Sequence, residues 1–84
     1  MMYKFLTLDD QTEIVHSEAF PDGSVKVYVE KPDAQDCFHH MTCYLPSYKI
    51  EECFGFSQQE QERYIEFIKS TAHLIIEKAI ARHN

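Results

Sequence analysis

The sequence predicts an α+β fold: an antiparallel β-meander of four or five strands, then one long C-terminal helix packed on one face of the sheet. Three observations carry this expectation. Residues from Gln58 to about Arg82 run without Pro or Gly and place apolar side chains at helical spacing. Val25-Lys26-Val27-Tyr28-Val29-Glu30 alternates strictly, which puts three valines on one side of a strand. Turn chemistry recurs every 8–14 residues through the first two-thirds of the chain, too often for parallel crossovers.

The elements follow in order. Asp9-Asp10-Gln11 closes a first hairpin between residues 2–8 and 12–19. The register of these two strands is left open, because Tyr3 and Phe5 face opposite to Leu6 and Leu8 on a regular strand. Phe20-Pro21-Asp22-Gly23 is the next turn, with Pro presetting φ and Gly accepting a positive one. The valine strand comes next. Pro32-Asp33-Ala34-Gln35 separates it from a fourth strand at about 36–45, and Pro46-Ser47 turns the chain into a short fifth at about 48–53. Ser57 and Glu60 then form a capping box, in which each side chain meets a backbone N–H of the first helical turn.

On the helix, Gln61, Tyr64, Ile65, Ile68, Thr71, Ala72, Ile75, Ile76 and Ala79 form one stripe. Glu62, Arg63, Glu66, Lys69, Ser70, His73 and Glu77 lie opposite. Phe67 and Leu74 lie beside the stripe on one flank and Ile80 on the other, more apolar surface than a single contact uses. The 84 residues read as one domain, 1–56 forming the sheet region and 57–84 the helix.

Composition narrows the function. The net charge is −6, and all of the excess lies in residues 1–56, where ten acids face four bases; residues 57–84 hold four of each. With no basic cluster to neutralise phosphates, binding to nucleic acid or to an anionic membrane surface is not expected. No apolar run approaches the ~20 residues of a membrane span, and the N-terminus lacks the ~7–15 apolar residues of a secretory signal core. Three cysteines, an odd number, argue for free thiols in a reducing compartment, so a cytoplasmic location is expected. A small domain gains from a staple, whether disulfide, metal or partner subunit.

Motifs for chemistry are sparse. Only Gly23 and Gly55 occur, which excludes a glycine-rich phosphate cradle. No G-x-S-x-G or H-E-x-x-H is present. Cys37-Phe38-His39-His40-Met41-Thr42-Cys43 invites zinc, because thiolate and imidazole are its ligands. On a strand, Cys37, His39 and Cys43 share a face, but at ~3.3 Å per residue the two cysteines stand ~20 Å apart. A site on Cys37 and His39 would need further donors from His16 and Cys53. The plainer reading has Cys37, Met41, Cys43 and Leu45 facing the core. A Cys43 nucleophile paired with His39 or His40 is formally possible, but no positioned base and no oxyanion-hole loop is recognisable. No cofactor is expected, and the chain leans away from an enzyme.

The remaining feature is surface. With the valines toward the helix, Tyr28 points away, and Phe38, His40, Thr42 and Tyr44 of the fourth strand share that outer side. Aromatic rings with polar tips are enriched at protein interfaces. Tyr28, Phe38, His40 and Tyr44, together with Phe67 and Leu74 on the helix, are therefore the expected partner surface. The functional expectation is a non-enzymatic interaction module that forms homo-oligomers, with a dimer first, or binds another protein. The alternative is a small metal-binding or thiol-based protein using Cys37 and His39.

Overall fold

The backbone separates two alternating patterns, one of period two and one of period 3.6, at Phe56-Ser57. The computed structural model describes residues 2–8, 11–35 and 37–83, apart from the side chains of Cys37 and His83. Five strands, β1 (Tyr3–Thr7), β2 (Glu13–His16), β3 (Val25–Asp33), β4 (Cys37–Leu45) and β5 (Lys49–Phe54), form one antiparallel sheet in sequence order. The helix α1 (Gln58–His83) follows and lies on one face. At ~1.5 Å per residue its 26 residues reach ~39 Å, which matches the 40 Å long axis of the molecule.

The capping box forms as the spacing predicts. The Ser57 backbone N–H donates to Glu60 Oε1 at 2.9 Å, and the Glu60 N–H donates to Ser57 Oγ at 3.1 Å. Hydrogen bonds from Ser57, its backbone first, hold the Glu60 carboxyl below its usual range. Of the expected stripe, Tyr64, Ile68, Ala72, Ile75 and Ala79 are buried, while Gln61, Ile65, Thr71 and Ile76 are half-buried. They close over Val25, Val27 and Val29 of β3 and Met41, Cys43 and Leu45 of β4, all fully buried.

Three local features go beyond the sequence expectation or correct it. A bulge between Lys4 and Leu6 settles the ambiguous register: Tyr3 pairs with His16 and Leu6 with Ile14, whose partners on β3 are the inward Val27 and Val29. The extra residue absorbs the parity change between Tyr3/Phe5 and Leu6/Leu8. Pro32 and Asp33, expected in a turn, belong to β3 and pair with Phe38 and Cys37. Pairing with β2 ends at Glu30, so Pro32 occupies a local edge position, where proline is tolerated. Phe67, on the flank of the stripe, is half-buried against the core, whereas Leu74 on the same flank stays 43% exposed. Asp9 and Asp10 lie outside the described residues; Gln11, which completes that turn, has φ 67°.

Two buried polar groups fall outside the sequence expectation. Thr12 Oγ1 and the Tyr64 hydroxyl lie 3.1 Å apart and tie the first hairpin to the helix. His16 Nδ1 donates to the Ser17 carbonyl at 2.8 Å, since that oxygen can only accept.

Burial pushes the Cys43 thiol up to about 11. Its thiolate is therefore scarce at neutral pH, and native protein at pH 8 is expected to leave Cys43 unalkylated by iodoacetamide while urea exposes it. Mass mapping of the labelled peptide checks this. The sign for stability follows: the contribution is intact below the ordinary thiol value of 9.0 and is lost as pH climbs toward about 11.

Candidate interaction face

Strand pairing arranges the face turned away from the helix into rows. Glu13, Glu30, His40 and Phe54 form one row across β2 to β5; Val15, Tyr28, Thr42 and Glu52 form the next; Lys26, Tyr44 and Lys49 form the third. Each row results from period-two alternation opposite a buried residue, which is why Tyr28, His40 and Tyr44 share one side of the sheet.

Three rings stack along the strand order. Tyr28 and His40 have centroids 6.0 Å apart at 21°, and His40 and Phe54 are 5.7 Å apart at 23°. Phe54 is 49% exposed and Phe38 48% exposed, so one end of this face presents open aromatic surface. Beneath the layer Thr42 retains only 4% of its exposure, although no helix covers it. Phe54 lies one residue beyond the strand end that the sequence predicts; alternation with the outward Glu52 is the signal that would have found it.

Carboxylates tune the phenols here. Burial first, then Glu30 and Glu52, raise the Tyr28 hydroxyl above its ordinary value. Tyr44 donates to Glu51 Oε2 at 3.2 Å, and burial together with that carboxylate shifts its phenol upward too. His40 Nδ1 is shielded from water and 3.4 Å from Glu52 Oε1, close enough for an ion pair when protonated but not aligned as a hydrogen bond. Glu13 sits directly opposite Glu30, a like-charge pair that a sheet does not favour.

His39 lies on the helix side, its ring edge-on to Phe56 (5.8 Å) and Phe54 (6.4 Å), with Nε2 3.5 Å from Asp33 Oδ2. The Cys37 side chain lies outside the described residues. Cys53 pairs with Met41, whereas His16 shares a cross-strand row with Val27 and Cys43, four residues or ~13 Å along β4 from His39. His16 is thus out of reach of any ion held at His39. Among the described residues no group of three or more His, Cys, Asp or Glu side chains gathers.

On the helix, Leu74 is flanked by Glu77 and Lys78, with Ala81 beyond. Leu74 and Ile80 stand on opposite flanks, so the helix offers separated apolar points rather than a continuous patch. A hollow of about 710 Å³ opens at the β4–β5 turn over Leu45, Pro46 and Ile50, with Asp22, Lys49 and Glu51 around it. The Asp22 carboxylate is already occupied, accepting from the Ser24 backbone N–H and hydroxyl.

Fold and face together define a one-helix α+β sheet protein with an uncovered aromatic side. No protein-family model, curated protein or solved structure matches the chain. Among the described residues no helix is long and apolar enough to cross a membrane.

Proposed function

We propose that this chain is a non-enzymatic protein-interaction module that self-associates through the sheet face turned away from its helix. The observation that carries the reading is the Tyr28–His40–Phe54 stack, half-buried at Tyr28 and His40 and exposed at Phe54, beside the exposed Phe38. Exposed aromatic surface of this kind is what protein interfaces bury. A one-helix core also gains from a covered second face. Charge favours a second copy as the occupant. The outer face carries Glu13, Glu30, Glu51 and Glu52 against Lys4, Lys26 and Lys49, a balance of −1 beside −6 for the whole chain. Two copies of an acidic chain thus meet there with little net repulsion. The unpaired thiols of Cys43 and Cys53 suit a reducing compartment, and the reading assigns the module to the cytoplasm.

Light scattering behind a sizing column tests it. At ~100 µM the expected mass is that of a dimer, because useful homo-oligomers form well below that concentration. The Tyr44→Lys variant is expected to run as a monomer, whereas Leu74→Lys on the helix is expected to leave the dimer intact. A wild-type monomer at ~100 µM overturns the reading, and binding of another protein then takes its place.

A further inference from the structure

The outer residues of the central strand have an internal symmetry. On β3, Lys26 and Glu30 lie two residues either side of Tyr28, and all three point outward between the buried valines. The neighbouring strand repeats the arrangement, with His40 and Tyr44 either side of Thr42, and β5 places Phe54 and Lys49 either side of Glu52. The one acidic end, Glu30, therefore lies in the row that also holds Glu13, His40 and Phe54, and the two basic ends, Lys26 and Lys49, lie in the row with Tyr44.

We infer that two copies pair outer face to outer face about a two-fold axis that runs across the strands through Tyr28. This deepens, and rests on, the self-association proposed above. Rotation about that axis exchanges the ends of every strand, so Glu30 of each copy lies over Lys26 of the other. His40 lies over Tyr44 of the other copy, and the Phe54 ring over the Lys49 ammonium. Tyr28 and Thr42 meet their own copies at the centre. The Glu13–Glu30 pair, unfavourable within one sheet, receives a cation from the second. The like-charged residues that meet on the axis, Lys4 and Glu52, belong to the two edge strands and stay at the hydrated rim.

The alternative axis, parallel to the strands, stacks Glu30 on Glu30 and Lys26 on Lys26, and places no cation over the Glu13–Glu30 pair. Size is consistent with the arrangement. Five strands at ~4.8 Å spacing and about six residues of length give roughly 500 Å² of face per copy, near the ~1,000 Å² total at which specific interfaces begin. The paired sheets keep their strands within about 30° of antiparallel.

A charge-swap cycle tests the axis. Lys26→Glu and Glu30→Lys are each expected to weaken dimerisation about tenfold, because each variant puts like charges face to face twice. The double variant Lys26→Glu/Glu30→Lys is expected to return to within about threefold of wild type, since each introduced carboxylate then lies over an introduced ammonium on the other copy. Raising NaCl from 50 to 500 mM is expected to weaken the wild-type dimer. A dimer that Tyr44→Lys disrupts, but in which the double variant is as weak as the single ones, overturns this axis and leaves self-association standing. A chain that is monomeric throughout removes both. Far-UV circular dichroism of each variant confirms that the sheet is intact.

Discussion

Replacing Gly55 with alanine is expected to destabilise the fold by about 3–4 kcal/mol, roughly twice the effect of the same change at Gly23. Both glycines have φ +87°, so both substitutions incur the left-handed backbone penalty of about 1–2 kcal/mol. Gly23 sits in open space, with nothing within 4 Å of an added Cβ, and Gly23→Ala is expected to stop at that penalty. At Gly55 the new Cβ would overlap the His39 imidazole at Cδ2 and lie 2.9 Å from Nε2. His39 has little room to retreat, because it is packed edge-on against Phe54 and Phe56 and paired with Asp33. Either the ring leaves that slot or the β5–α1 connection shifts, and both loosen Phe56 beneath the helix N-terminus. Urea unfolding of the two variants at one protein concentration measures the difference. The clash is isolated by repeating Gly55→Ala in a His39→Ala background, where its cost is expected to fall to that of Gly23→Ala. Equal midpoints for Gly23→Ala and Gly55→Ala would show that His39 does not hold this corner.

This corner also shows why the sequence could be read only so far. His39 was legible as sharing a face with Cys43, since alternation fixes that much. What occupies His39 was not legible, because Phe54, Gly55 and Phe56 approach it from another strand and from the chain leading into the helix. Asp33 and two aromatic edges surround the ring, and all three come from outside its own strand.

The helix was legible almost to the residue because its signals are local. A capping box, an unbroken run and a 3.6-residue period need no knowledge of the rest of the chain. The β1 register was not, because a bulge is a statement about two strands at once. The outer face falls between these cases. Alternation assigns Tyr28, Phe38, His40 and Tyr44 their side of the sheet, but the stack through Phe54 and the Lys26–Tyr28–Glu30 symmetry require the pairing register. The charges that define the inferred axis are ordinary in sequence and acquire meaning only as rows.

Truncating Ile68 or Ile75 to alanine is the second large effect expected, at about 3–4 kcal/mol each. Both side chains are fully buried between the helix and the valine face of β3. They flank Ala72 along a line that also holds Tyr64 and Ala79, and the two small residues let the helix come close to the sheet. The isoleucines therefore fill most of the space between layers, and a collapse around either cavity is hindered by the stiff valines opposite. A domain of this length has a total stability of roughly 4–12 kcal/mol, so one such change removes a large part of it and the pair is expected to leave the chain unfolded at 25 °C. Leu74→Ala, on the same helix but 43% exposed, is expected to shift stability by less than about 0.5 kcal/mol. Urea midpoints at one protein concentration, low enough to keep wild type monomeric, separate these outcomes from any effect of self-association. If Ile68→Ala and Leu74→Ala were alike, the helix would not be the lid of the core. The sheet would then have to draw its stability from its other face, where Thr42 is already buried at 4% exposure without a helix above it.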